Sequence, residues 1–250
     1  MAILDDLLSN LPDDAAVRSV WVGAHWTAVC SRFCGLASTI LSTCPHGNAI
    51  VRDAGSLHRK SAGQLAEYAR SDNLLEAGIG VAAINSLLEV DESHAQDLNA
   101  SEVLAQHGKD KTVALVGHFP FIPKLRSQVG RLWVIEQKPG EDEYPAEAAA
   151  DLIPKAEVIA ITGSALINHT LDGLLSLRPP HALVMVLGPS TPLSPILFRY
   201  GVDILSGVRI TDENAVLLTI GQGASFRQVQ GVRLVTLVRQ GGIQPSCEEG

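Results

Sequence analysis

Four short segments carry the side chains with the greatest chemical reach. Gly117-His118-Phe119-Pro120 presents an imidazole, which ligates metals when neutral and moves protons near neutral pH. Glu136 lies about twenty residues beyond Gly117. At that offset an acid accepts a ribose hydroxyl in dinucleotide folds, and beside a histidine it can serve as a metal-ligand carboxylate. Thr162-Gly163-Ser164, followed by Asn168, combines hydroxyls with a glycine at a helix start, a combination that suits an anion or a carboxylate. Gly188-Pro189-Ser190-Thr191 opens a loop over 188–195 with prolines at 189, 192 and 195. Proline restricts φ, so Ser190 and Thr191 are held still, as a rigid ligand contact requires.

Each segment also has a plain structural reading. His118 can be a strand-end histidine satisfied by backbone, Glu136 a solvated strand-end acid and Ser164 a helix cap. The proline loop can be stiff for structural reasons alone. An ordinary dinucleotide site is disfavoured, because the glycines of G-x-G-x-x-G are absent and Pro120 lacks an amide. No G-x-S-x-G elbow supports nucleophilic catalysis. A divalent transition metal on His118 and Glu136 is chemically reasonable, although it needs a third ligand that the pattern does not name. Cys30, Cys34, Cys44 and His46 are spaced C-x3-C-x9-C-x-H, without the C-x2-C knuckle of structural zinc sites. On one strand, residues 30 and 34 would share a face. Free cysteines are also commonly buried as small apolar groups.

The elements that must position these loops are legible beyond residue 110. Thr112–Val116, Arg131–Ile135, Val158–Ile161 and Ala182–Leu187 are nearly continuous apolar runs of strand length, as in strands buried on both faces of a parallel sheet. Weaker strands are expected at 202–205 and 232–238. Helices are expected over 121–128, 146–156 and 165–177, the last with Ser164 as N-cap. Ser194-Pro195 predicts a capped helical start, and Thr211 is the expected cap of a final helix with Asp212 and Glu213 in its first turn. Alternating units of this kind predict a Rossmann-like domain over 112–245 whose ligands bind beyond the carboxyl ends of the strands.

The first part reads as a smaller α+β domain over 1–95. A short helix opens it. A strand-prone meander follows over 17–43, broken at Gly23 and Gly35, then two helices with capping-box signatures Ser61-x-x-Gln64 and Asn73-x-x-Glu76. Polar residues 96–111 are expected to form a connector, and residues 246–250 a frayed tail containing Cys247. With 46% hydrophobic and 18% charged residues, the 250-residue chain can build a full core. Aromatics are only 4%, so that core must come from Ala, Val, Leu and Ile. The net charge of −8, with no basic stripe, argues against nucleic acid. No leader and no run of roughly 18 apolar residues is present, which predicts a cytoplasmic protein with reduced thiols and no membrane partner.

Taken together, the loop set resembles the "putative heavy-metal chelation" family. The resemblance rests on Gly117-His118-Phe119-Pro120, Glu136, Ile161 to Ala165 with Asn168, Leu187 to Thr191, Gly201 to Gly207 and the Ala-x-x-Asn pattern ending at Asn85. It implies an enolase-N-terminal-like domain followed by a Rossmann-like domain. A ligand site between them would take Asn85 from the first and Gly117, His118, Phe119, Glu136, Thr162, Gly163, Ser164, Asn168, Gly188, Pro189, Ser190 and Thr191 from the second. The implied ligand is a small polar metabolite or a metal chelate. Cys30, Cys34 and Cys44 lie outside the family pattern. The alternative is a transferase or oxidoreductase with an adenosine-containing cofactor, Glu136 holding its ribose. No catalytic residue is named by either reading.

Overall fold

The computed structural model describes residues 1–41, 50–91, 93 and 95–240. Cys44, His46, Cys247 and the expected tail at 246–250 lie outside the described residues. Helix α1 (Ala2–Ser9) buries Ile3, Leu4 and Leu7. Strands β1 (Ser19–Val22), β2 (Trp26–Cys30) and β3 (Cys34–Ser38) form the expected antiparallel meander. Helix α2 (Ala62–Ala66) opens with the full Ser61–Gln64 capping box. Helix α3 (Leu74–Leu87) is capped by Asn73 alone, and it buries Ala77 to Ile84 continuously, the mark of a helix enclosed on all sides.

Two details of this part depart from expectation. Glu76 does not return to the Asn73 backbone, because Arg52 and Ser71 capture it. It accepts from the Arg52 amide at 2.6 Å, from Arg52 Nε at 3.0 and 3.1 Å and from Ser71 Oγ at 2.6 Å. Burial alone would push this carboxyl up, yet those bonds outweigh it and hold it below its ordinary range. Gly35 is no break either. It sits inside β3, where a Cβ would collide with the carbonyl of Ala82, so the strand lies directly on α3.

The second sheet has eight strands: β4 (Ala95–Gln96), β5 (Thr112–Val116), β6 (Arg131–Glu136), β7 (Tyr144–Pro145), β8 (Val158–Thr162), β9 (Leu183–Leu187), β10 (Ile204–Ile210) and β11 (Val232–Val238). Their spatial order is β4-β11-β10-β9-β8-β5-β6-β7, parallel from β10 to β7, with β11 and β4 antiparallel at one edge. Alternate residues divide cleanly between faces. Val113, Leu115, Val158 and Ala160 meet α4 (Ala100–Gly108) and α5 (Ile122–Arg126) on one face. Ala114, Ile159, Ile161 and Val184 join Ile3, Leu4 and the α3 residues on the other. The interior of the first part is therefore continuous with one face of the sheet.

The stretch expected as a connector over 96–111 instead supplies part of β4 and the whole of α4, whose Val103 and Leu104 bury against the sheet. Residues 146–156 form only short turns around α6 (Ala149–Leu152). The helix expected over 165–177 is interrupted. A 3-10 turn spans Gly163–Leu166, His169 adopts φ 60°, and α7 (Leu171–Ser176) starts afresh. The Asn168 carboxamide accepts from Thr170 N–H and Oγ, competing with the helical backbone. Capping also shifts by two residues upstream in one case and one downstream in the other. Thr162, not Ser164, accepts the Ser164 amide, and Asp212, not Thr211, caps α8 (Glu213–Gly221). Ser194 caps its turn as expected.

Candidate functional site

Strand β5 is flanked by β6 and β8, so the chain leaves β5 toward one edge and returns on its other side. Between the carboxyl ends of β5 and β8 lies the topological switch point, where an open α/β sheet leaves a crevice. The loops 117–120 and 162–164 occupy it. Gly117 leaves β5 at φ 108°, a conformation that L side chains rarely adopt, and its missing Cβ makes room for Thr162. Glu136 ends β6 one residue past the Val116–Ile135 pair, which places it beside this turn.

A cavity of about 580 Å³ opens here, lined by Gly117, His118, Glu136, Thr162, Ser164 and Asn168 among others. A second cavity of about 440 Å³ shares His118, Thr162 and Ser164 with it, and adds Phe119, Gly188, Pro189 and Ser190. His25, Trp26 and Ser38 of the meander close its other wall, so side chains from both parts of the chain face it. Ser225, Phe226 and Arg227 also border it.

The imidazole of His118 is 64% exposed, and its Nδ1 lies 2.7 Å from Glu143 Oε1. A carboxylate only accepts, so in the neutral ring Nδ1 carries the proton and Nε2 is the basic nitrogen. Glu143, 7% exposed, is held below the ordinary carboxylate range by the Gly140 N–H, with His118 adding to the effect against burial. A carboxylate that fixes the tautomer of an imidazole is the usual support of a metal-ligating histidine. Glu136 is half-buried and accepts from the Gln137 amide at 2.7 Å. Thr162 Oγ1 and Ser164 Oγ lie 2.8 Å apart.

Three expected residues stand elsewhere. Asn85 lines neither large cavity. Its Nδ2 donates to Leu36 O at 3.0 Å and Ser190 O at 3.5 Å, so it pins the hairpin to the 188–191 loop. Its Oδ1 and Thr191 Oγ1 are buried without partners and border a separate cavity of about 30 Å³, large enough for one bridging water. Thr191 is thus turned away from His118. Gly163 lines neither cavity, and its role is steric, since a Cβ there would meet Thr191 N at 2.5 Å and Oγ1 at 2.7 Å. The residues that sequence reasoning passed over are His25, Trp26, Ser38, Glu143 and Phe226 with Arg227. Only the last pair had a local signal, the Ser225-x-x-Gln228 capping box that fixes their turn.

Among the described residues, the one group of three potential metal ligands within mutual reach is Cys30, Cys34 and Glu213; His118 and Glu136 do not join it. Cys30 and Cys34 do not share a strand. They end β2 and begin β3 as directly opposed residues, and their sulfurs are joined in a disulfide, which corrects the expectation of reduced thiols. No helix among the described residues is long and apolar enough to cross a membrane.

Comparison with known proteins agrees with this architecture. Two family models, both described as "Putative heavy-metal chelation", match residues 4–88 and 99–239. A protein of unknown function from Desulfitobacterium hafniense DCB-2, from the family matched at 99–239, superposes with a TM-score of 0.84 at 26% identity, covering 95% of this chain and 98% of its own. A second such protein, from Pyrococcus horikoshii, superposes with a TM-score of 0.80 at 22% identity, covering 95% and 98%. An uncharacterized protein of Methanocaldococcus jannaschii is 27% identical over 179 residues, 69% of each chain. With mainly parallel α/β architecture and a family model spanning more than half its length, the chain belongs to the family described as "Putative heavy-metal chelation".

Proposed function

We propose that the joined cavities at the switch point bind a divalent transition metal presented as a chelate by a small polar metabolite. The single observation that carries this reading is the His118–Glu143 pair, which leaves Nε2 as the basic ring nitrogen in a cavity that Glu136 also lines and that has room for a ligand. His118 and Glu136 would supply two ligands, and the chelator itself would complete the coordination sphere. Thr162, Ser164 and Asn168 would then orient the chelator, and the meander residues His25, Trp26 and Ser38 would close over it. In this reading the meander part and the sheet part, the latter including α4, act as two units about one cleft.

The alternative, an adenosine-containing cofactor, draws support from an apolar cavity of about 340 Å³ walled by Phe119, Phe121 and Phe226, a shape that suits a flat base. Glu136 does not line that cavity, however, so the expected ribose contact and the base pocket do not coincide. Calorimetric titration with nickel or zinc, alone and with citrate, tests the metal reading. Saturable binding in the wild type and its loss in His118→Ala are expected; equal stoichiometry and affinity in both would remove it. Because neutral imidazole is the ligating form, affinity should also fall on acidification.

A further inference from the structure

The cysteine pair lies at the other end of the β2–β3 hairpin from Trp26 and Ser38, about 13 Å away at roughly 3.3 Å per strand residue. We propose that Cys30, Cys34 and Glu213 form a second, redox-gated site for a thiophilic divalent cation. This does not rest on the reading of the His118 cavity.

Four observations carry it. Cys30 and Cys34 are registered partners across an antiparallel pair, with Cα atoms 4.0 Å apart, so both side chains project to the same side of the hairpin. One sulfur from each and one Glu213 carboxylate oxygen lie within 4.8 Å of one another. A tetrahedral ion with metal–sulfur bonds of about 2.3 Å needs its two sulfurs roughly 3.8 Å apart, which is within reach once the disulfide opens. Glu213 is the first residue of α8, whose positive end favours nearby thiolates, and Arg18 binds Glu213 Oε2 at 2.5 Å while its own amide donates to Cys30 O at 2.7 Å. The sulfurs come from the hairpin and the carboxylate from the sheet domain, so a bound ion would tie the two together.

Gating follows from the chemistry of sulfur. Thiolate is the ligand, and a cystine sulfur is not. A dithiol reductant gives two electrons and two protons to the Cys30–Cys34 bond and leaves as its own disulfide. The cation then displaces the two thiol protons and forms two metal–sulfur bonds, while Glu213 supplies the third ligand.

The test uses the whole 250-residue chain carrying Cys44→Ser and Cys247→Ser, so that of its cysteines this pair remains. After reduction by a dithiol and its anaerobic removal, cadmium is titrated and the ultraviolet thiolate-to-cadmium absorption is read. One saturable equivalent is expected in the reduced protein and none in the oxidised protein. Cys34→Ser should lose the two-thiolate signal, and Glu213→Gln should weaken affinity at least about tenfold, the least that altering a metal's environment usually costs. No absorption in the reduced protein, or a signal unchanged by Cys34→Ser, overturns the site. Unchanged affinity in Glu213→Gln overturns the three-ligand assignment. Should Cys34→Ser fail to fold, alkylation of the reduced pair decides: protection by cadmium is expected, and equal rates with and without the ion overturn the proposal.

Discussion

Two loops leave the sheet in the same way and meet opposite fates. Gly117 follows β5 at φ 108° and Gly188 follows β9 at φ 106°, each with a proline close behind. The first loop leaves His118 64% exposed over a large cavity. The second buries Ser190 and Thr191 to 1% and 2%. The difference lies above the sheet. The end of β3 descends on the 188–191 loop, where Ser38 N–H donates to Ser190 Oγ at 2.9 Å and the two hydroxyls lie 3.0 Å apart. From the other side, Asn85 reaches the Ser190 carbonyl. Proline stiffness at 189 and 192 therefore serves docking of the meander as much as any ligand. Among the described residues His118 is hydrogen-bonded by Glu143, which orients a side chain without covering it.

If the loops have divided their work in this way, mutations should separate binding from stability. His118→Ala should abolish metal binding by calorimetry while leaving the unfolding free energy from urea titration within about 0.5 kcal/mol, as exposed substitutions do. Loss of stability in that variant would erase the contrast. Gly163→Ala should do the reverse. Its Cβ meets the backbone of Thr191, and overpacking against backbone costs about 3 kcal/mol, measured as a lower denaturation midpoint.

Glu143→Gln sharpens the comparison from the binding side. Metal affinity should fall about tenfold in calorimetry, because the imidazole loses its orienting anion. The same variant carries a pH signature. The Glu143 carboxyl is depressed in the folded state, so the unfolded chain takes up its proton first as pH falls. Its contribution is present above the ordinary carboxylate range and is lost as pH drops through the depressed value. Acid titration followed by circular dichroism should accordingly show wild type and Glu143→Gln converging at low pH. Ser190→Ala should have the smallest effect, about 1 kcal/mol of stability from the lost Ser38 contact, with metal affinity little changed.

Much of the fold was legible because its signals are local. The runs at 112–116, 131–135 and 158–161 became strands nearly residue for residue, since a strand buried on both faces must be apolar throughout. The Ser61 box formed, because both partners lie within one turn. The Asn73 box failed, because Glu76 met a stronger partner, Arg52, from a distant segment. Helix 165–177 failed because Asn168 offered its backbone a competing bond. The helix at 100–108 was hidden by its polar face, as Val103 and Leu104 alone supply its fully buried hydrophobic side chains.

The candidate site divides along the same line. Spacing alone placed His118 and Glu136 at the carboxyl ends of two successive buried strands, because strand length and glycine placement are properties of neighbouring residues. Tertiary structure decided the rest: that Glu143 supports His118, that Asn85 and Thr191 turn away from it, and that Cys30, Cys34 and Glu213 converge. Those pairings depend on docking the meander and α8 against the sheet, and the free energy of that docking is spread over many apolar contacts far apart in the chain, none of which a local pattern records.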